Sequence, residues 1–288
     1  MNSKIYNNVR TAVLLGLLTS LILIAGQLMG GSNGLIIAVV FAAFTNFGAY
    51  FFSDQIALAT MSAQQVGPEH PLHQIVARLA QRASLPMPRV YVSPMLAPNA
   101  FATGRNPTHA AVCATQGLMN MLNPDEIAGV MAHELAHVKN RDILIGSIAA
   151  TIAGAISALG YMFMFTGGRN DRDGEGHPLA GLLVLLLGPL AAGLIQAAIS
   201  RSREFNADTG GAEICGNPMA LATALEKIHT ANRRIPMNVN PAFHSMFIAE
   251  PRSTMAQIAN LFQTHPPLED RLQNLIGRPS TGRFARAA

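Results

Sequence analysis

The sequence carries little charge and no run of like charges. Of its 288 residues, only 12% are charged, whereas 50% belong to the apolar set, and the mean hydropathy is +0.28. This balance excludes an ordinary soluble domain of this size and indicates a membrane protein. The net charge of +4, from 20 basic and 16 acidic residues, is a mild excess that fits basic residues flanking membrane spans, so we expect no nucleic-acid partner.

Cysteine is also nearly absent. Cys113 and Cys215 lie far apart in the chain and show no C-x-x-C spacing. Two such residues do not form a disulfide framework, and reduced thiols in a cytosolic compartment are the expected state. We therefore expect both to be packing residues.

Apolar runs, in contrast, are abundant. Residues 11–29 and 35–52 contain no charged residue, and each is close to the roughly 20 apolar residues that a membrane span requires. The short Gly-Gly-Ser-Asn-Gly connection predicts a helical hairpin, with aromatic residues 50–52 at the membrane interface. A cleaved signal sequence is the alternative, since Lys4 and Arg10 precede the first run, but that run is longer than a signal core.

A second apolar pair covers residues 143–165 and 179–200, separated by a polar, Gly-rich loop. Their small and polar residues suit packed transmembrane helices, and they also suit buried helices of a soluble domain. Their length favours two further spans, which makes four in total. Residues 53–142 and 201–288 and both termini are then predicted to be cytosolic, because basic residues flank the spans on that side: Lys4, Arg10, Lys139, Arg141, Arg201 and Arg203.

The remaining sequence predicts a mainly α-helical fold with a small β-sheet. Apolar residues at helical spacing predict an amphipathic helix over 68–85, and 88–94 reads as a strand. Residues 100–103 and 110–115 predict a hairpin around a Gly-Arg-Asn-Pro turn. The next helix covers 124–142 and begins with a capping arrangement of Asn123, Pro124 and Glu126.

This last helix contains the order H-E-x-x-H at His133, Glu134 and His137. Positions i and i+4 lie on one helical face, so both imidazoles can bind one metal ion, and catalytic zinc keeps one position for water beside a carboxylate base. Glu134 is the candidate base. Because the motif arises by chance in about one such chain per hundred, a third ligand is required.

A third ligand is available after the last apolar run. Glu204 and Asp208 lie on one helical face, four residues apart. We expect Glu204 to complete the metal site and Asp208 to orient a liganding histidine by hydrogen bonding. In the alternative interpretation, Glu204 is a solvated carboxylate paired with Arg201 or Arg203.

Four sequence motifs together resemble the HtpX membrane metalloproteases, which are gluzincins related to the CAAX prenyl proteases: HELAH, EFNAD, NAFATG and HPPLEDR. The resemblance implies a zincin-like catalytic domain and a zinc endopeptidase of the bacterial inner membrane that degrades misfolded or damaged membrane proteins at its cytoplasmic face. It implies one Zn²⁺ per chain, held by His133, His137 and Glu204, with Glu134 as the catalytic residue.

Three further residues belong to these motifs. Asn99 begins the segment that the resemblance places at an edge strand able to hold an extended peptide, although a plain hairpin explains it equally well. His265 is interpreted either as an oxyanion donor or as a residue that covers the metal. Arg271 is expected to have a structural role, pairing with Asp208 or Glu204.

The predicted organisation has four parts. Residues 1–54 form an N-terminal transmembrane hairpin, 55–142 the first part of the catalytic domain, 143–200 the second hydrophobic hairpin, and 201–288 the second part with the third ligand. The alternative function is a non-catalytic membrane chaperone or scaffold with a structural zinc site. Such sites are usually closed by a fourth protein ligand, often Cys, and neither cysteine obviously supplies one.

Overall fold

The computed structural model describes residues 3–149, 201–232 and 266–277. This part of the chain is mainly helical with one small mixed sheet, as the sequence predicts. Its elements, in chain order, are α1 (Ser3–Thr60), β1 (Gln64–Gln65), α2 (Pro71–Arg82), β2 (Arg89–Ser93), β3 (Ala100–Gly104), a 3-10 turn (Pro107–His109), β4 (Ala110–Thr115), α3 (Gln116–Met121), α4 (Pro124–Asn140), α5 (Arg201–Cys215), α6 (Pro218–Asn232) and α7 (Leu268–Ile276).

The first helix, α1, contains both N-terminal apolar runs. Its backbone leaves helical geometry at Gly31, where φ is 55° and ψ is −138°, a conformation that an L side chain rarely adopts. The Asn46 side-chain amide donates a hydrogen bond to Thr19 Oγ1 at 2.7 Å, so the two halves of α1 pack side by side. The break that the Gly-rich connection predicts is therefore present.

Within the described residues, one helical segment, Gly31–Thr60, is long and apolar enough to cross a membrane. It contains the second predicted span, and its large apolar side chains are exposed, including Phe44 at 74%. The predicted spans at 143–165 and 179–200 lie outside the described residues except for 143–149, which are helical. The number of four spans therefore stays a prediction.

The sheet has the strand order β1-β2-β4-β3. β3 and β4 form the predicted antiparallel hairpin, with Ala100 opposite Ala114 and Gly104 opposite Ala110. β2 pairs with β4 in parallel, a non-local pairing that the local sequence does not predict. Every residue of β4 is buried, as expected for a central strand of small and β-branched residues. The hairpin leaves β3 at one edge of the sheet.

Helix α4 lies at the centre of the described fold, between the sheet and helices α2, α5 and α6. It begins with a full capping box: the Asn123 side chain accepts from Glu126 N, and the Glu126 carboxylate accepts from Asn123 N, each at 2.9 Å. Glu126 also forms an ion pair with Lys227 of α6 at 2.7 Å. These contacts fix the register of α4 before the chain reaches the H-E-x-x-H motif.

Candidate metal centre

The two histidines of the motif meet on one face of α4. His133 and His137 are one helical turn apart, and their Nε2 atoms lie 3.2 Å from each other. His133 is almost completely buried, whereas the His137 side chain is 15% exposed. The i, i+4 spacing therefore brings two imidazole nitrogens to one point beside α4, as the sequence predicts.

The third donor comes from α5. Glu204 Oε1 lies 3.5 Å from His137 Nε2, and Glu204 Oε2 lies 3.8 Å from His133 Nε2. These three side chains form a cluster whose possible ligand atoms all lie within 4.8 Å of one another. The structure thus brings Glu204 to the histidine pair rather than to solvent, since the residue is only 6% exposed.

The spacing of the three donors fits a tetrahedral metal ion. With ligand bonds of 2.0–2.2 Å, neighbouring donors of a tetrahedral zinc site are separated by about 3.4 Å. The separations of 3.2, 3.5 and 3.8 Å lie close to this length. Two imidazole nitrogens and one carboxylate are also a donor set that zinc prefers, and three protein donors leave one position for water or substrate. The residues therefore fit a catalytic zinc.

Asp208 lies one helical turn beyond Glu204 and faces the opposite nitrogen of His133. Its Oδ1 is 2.9 Å from His133 Nδ1, although the N–H direction is not well aligned for a hydrogen bond. Arg271 of α7 donates to the same carboxylate twice, through Nε to Oδ2 at 2.9 Å and through Nη2 to Oδ1 at 2.6 Å. Of the two partners expected for Arg271, the structure thus places Asp208 in a bidentate pair.

This buried ion pair fixes the charge of both partners. Burial alone would raise the pKa of Asp208, but the charge and hydrogen bonds of Arg271, together with His133, lower it to about 2. Burial opposes the charge on Arg271, and the nearby Asp208 carboxylate more than compensates, so the Arg271 pKa is raised. Asp208 is therefore ionised at neutral pH, so toward the His133 ring it can act only as a hydrogen-bond acceptor.

The second histidine also has a carboxylate partner, which the sequence reasoning missed. Asp142 Oδ2 lies 3.3 Å from His137 Nδ1. Burial lowers the pKa of His137, but the charges of Glu204, Asp142 and Glu134 outweigh it and raise the value to about 9. The available signal was an acidic residue five positions after the second histidine, directly before the next apolar run.

Glu134 is also buried next to the metal donors. It is 3% exposed, and its charge contributes to the raised pKa values of both His137 and Arg271. Its carboxylate directly follows the first histidine of the motif in sequence and lies within electrostatic reach of the second. This is the position that a base acting on water at the metal requires.

Of the remaining sequence candidates, the structure describes Asn99 and the two cysteines. Asn99 is completely buried; its side-chain oxygen accepts from Ala100 N at 2.8 Å, and its backbone N–H donates to Thr115 at 2.9 Å, so these contacts fix the start of β3. His265 lies outside the described residues. Burial raises the pKa of the thiols of both Cys113 and Cys215, which agrees with packing roles.

Two histidines on one helical turn, a glutamate between them, and a carboxylate from a second helix define a metallopeptidase of the zincin type. The comparison with known families gives the narrower assignment: residues 67–278 match Peptidase family M48. The chain belongs to this family, and it is a metalloprotease.

Curated relatives agree with this membership. A "Protease HtpX homolog" from Desulforapulum autotrophicum is 52% identical over 276 residues, which are 93% of this chain and 89% of the relative. A protein of the same description from Burkholderia cenocepacia is 50% identical over 284 residues, covering 97% of this chain and 99% of the relative. The resemblance inferred from four short motifs is therefore confirmed over nearly the whole chain.

One solved structure has a related fold. The crystal structure of S. mikatae Ste24p matches with a TM-score of 0.51 at 21% sequence identity. The match covers 96% of this chain and 66% of the Ste24p chain, so this chain spans about two thirds of that longer protein. At this identity, the likeness concerns the fold alone.

Proposed function

We propose that the chain is a membrane-embedded zinc endopeptidase that cleaves misfolded or damaged membrane proteins at the cytoplasmic face of the bacterial inner membrane. The observation that carries the catalytic part is the cluster of His133, His137 and Glu204, with Glu134 buried beside it. Family membership and the names of the relatives support a protease. The apolar segment Gly31–Thr60 supports the membrane location.

Each residue has a defined role in this proposal. His133, His137 and Glu204 would hold the ion, and bound zinc supplies Lewis acidity that activates water and polarises the scissile carbonyl. Glu134 accepts the proton of the attacking water and then delivers it to the departing amine, because a single carboxylate can act first as base and then as acid. The Asp208 carboxylate, 2.9 Å from His133 Nδ1, would favour a ring proton on that nitrogen, and Arg271 keeps Asp208 ionised.

The edge strand offers a way to hold the substrate. β3 lies at one edge of the sheet and packs against α4, which carries the metal-binding histidines. We propose that an extended peptide pairs alongside this strand, because edge-strand addition uses main-chain hydrogen bonds and tolerates many side chains. Such tolerance suits a protease that acts on damaged proteins of varied sequence.

The same proposal includes the orientation of the chain in the membrane and its division into four parts. Basic residues before and after the apolar runs support a cytosolic position for both termini and for the metal centre. We also propose the four-part organisation at residues 1–54, 55–142, 143–200 and 201–288. Helix α1 itself continues to Thr60, a few residues past the proposed boundary at residue 54.

A non-catalytic chaperone or scaffold is the competing function. A structural zinc site would need a fourth protein ligand in most cases. Within the described residues, the cluster that could hold a metal has three members, and Cys113 is buried in the central strand of the sheet. This donor set favours the catalytic interpretation.

The deciding experiment compares the purified, zinc-loaded protein with its Glu134→Gln variant on an unfolded membrane protein. We expect the wild type to cleave the substrate and the variant to keep zinc and thermal stability while losing cleavage. Addition of a chelator should stop the wild type, and zinc should restore it. Cleavage by Glu134→Gln at the wild-type rate would contradict the proposed role of this residue.

A further inference from the structure

Asp142 lies directly after α4 and contacts one of its two metal-binding histidines. Its Oδ2 is 3.3 Å from His137 Nδ1, and the two side chains keep only 10% and 15% of their exposure. An ionised carboxylate accepts hydrogen bonds and donates none, so His137 must carry its ring proton on Nδ1 when it bonds to Asp142. The contact therefore selects the tautomer whose Nε2 lone pair faces His133 and Glu204.

The backbone holds Asp142 in this position. Arg141 adopts the left-handed conformation, with φ 61° and ψ 31°, and ends α4. Its backbone N–H donates to Val138 O at 3.1 Å, and the N–H of Asp142 donates to His137 O at 3.0 Å. The left-handed conformation is costly for a residue other than glycine and persists only where the surroundings fix it. The turn thus directs Asp142 back toward the ring of His137.

The segment that follows Asp142 is fixed at a second point. Residues 143–149 are helical, and Ser147 Oγ lies 2.7 Å from Thr103 Oγ1 of β3 in a buried contact. Ser147 Oγ also donates to Ile143 O at 2.8 Å. The chain after the turn is therefore attached to the edge strand, which limits the movement of Asp142 relative to α4.

Each of the two histidines has a carboxylate at its Nδ1, and the two carboxylates come from different parts of the chain. His133 has Asp208 at its Nδ1, supplied by α5, and His137 has Asp142 at its Nδ1, supplied by the turn after its own helix. Carboxylate partners of this kind orient liganding imidazoles and raise their basicity. The competing explanation is that Asp142 only terminates α4.

We propose that Asp142 is a positioning residue that holds the ring of His137 in the orientation and tautomer required for metal binding. The inference rests on the proposed function, because it assumes that His137 is a zinc ligand. It does not assign Asp142 a contact with the substrate. Its effect should therefore reach catalysis only through the occupancy and geometry of the metal site.

The test uses Asp142→Ala and Asp142→Asn in the full-length protein. Loss of such a partner typically weakens metal binding roughly 10- to 100-fold. We expect this loss for Asp142→Ala in a zinc competition assay with a chelator, and a smaller loss for Asp142→Asn, whose amide oxygen still accepts a hydrogen bond. In the metal-free protein above pH 9, where the His137 ring is neutral, its ¹⁵N chemical shifts should show a mixture of tautomers for Asp142→Ala and one tautomer for the wild type.

Asp125→Ala is the matched control, because it removes an exposed carboxylate from the first turn of the same helix. It should bind zinc as the wild type does. If Asp142→Ala lowers thermal stability but leaves zinc affinity unchanged, Asp142 serves the helix end alone and the inference is overturned while the proposed function stands. If the wild type neither binds zinc nor cleaves, the proposed function fails and the inference fails with it.

Discussion

Gly211 of α5 lies directly against the backbone of His133 in α4. A Cβ atom built on Gly211 would be 2.8 Å from both the N and the Cα of His133. Backbone atoms in the middle of a helix cannot move aside as a flexible side chain can. The absence of a side chain at Gly211 is therefore what allows α5 to approach α4 closely enough for Glu204 to reach the histidine pair.

Gly211→Ala should consequently weaken the metal site, although residue 211 supplies no ligand atom. The added methyl group forces α5 away from α4, and Glu204, on the same helix, moves with it. We expect zinc affinity to fall at least about tenfold and the free energy of unfolding to drop by roughly 1–3 kcal/mol, as for overpacking of a core. Chelator competition and thermal unfolding of the zinc-free protein measure the two effects separately.

The neighbouring glycine provides the control. A Cβ at Gly210 would meet only the Ala136 side chain, at 3.4 Å. Gly210→Ala should leave zinc affinity unchanged and should stabilise α5 by roughly 0.5–1 kcal/mol, because alanine favours a helix interior over glycine. Equal effects of both substitutions would show that the approach at Gly211 does not control the site.

The pair between Asp208 and Arg271 predicts an acid-dependent stability. The pKa of Asp208 is lowered from 3.8 to about 2 in the folded protein, so its ionised form stabilises the fold above pH 3.8. This contribution, about 2 kcal/mol, is lost as the pH falls from 3.8 toward 2. Unfolding of the zinc-free protein followed between pH 5 and pH 2 should show this loss.

Asp208→Asn tests the origin of that dependence. The amide does not titrate, so this part of the pH dependence should disappear, and the buried Arg271 charge left behind should cost roughly 3–5 kcal/mol at neutral pH. An unchanged slope below pH 4 in the variant would assign the acid sensitivity to other carboxylates.

Zinc binding near neutral pH should release a proton from His137. Its pKa is raised to about 9 in the metal-free protein, so the ring is protonated at pH 7, whereas a zinc ligand must be neutral. Apparent zinc affinity should therefore increase as the pH rises toward 9 and level off above it. Calorimetry in two buffers of different ionisation enthalpy counts the protons, and binding without proton release at pH 7 would contradict the assignment.

The side-chain cap at the start of α4 should contribute to the stability of the fold and have little effect on the rate of cleavage. Asn123→Ala removes the side-chain cap of Glu126 N and should cost about 1 kcal/mol. Once folded and saturated with zinc, the variant should cleave substrate at the wild-type rate. Asn120→Ala is a suitable control, because this exposed side chain accepts a hydrogen bond from Gln116 within its own short helix.

Local signals in the sequence predicted a large part of this arrangement. Capping residues and i, i+4 spacing are properties of neighbouring positions, so α4, its histidine pair and the relation of Glu204 to Asp208 could be read without a structure. The β3–β4 hairpin was predictable for the same reason, since its turn and strands are contiguous.

Features set by non-local packing were not predictable. The parallel pairing of β2 with β4 joins strands that are separated by the whole of β3. The contact of Asp142 with His137 depends on a left-handed conformation at Arg141, and no glycine marks that position. The bidentate pairing of Arg271 with Asp208 is likewise decided by the packing of α7 in three dimensions.

The order of the metal-site residues along the chain has a consequence for biosynthesis. A growing polypeptide that has passed Asn140 already contains both imidazoles and the Glu134 carboxylate, but it lacks Glu204 and Arg271. Such an unfinished chain lacks α5, and with it both Glu204 and Asp208. We therefore expect the metal site to stay incomplete until α5 has been synthesised, and Asp208 to lack its arginine partner until α7 follows.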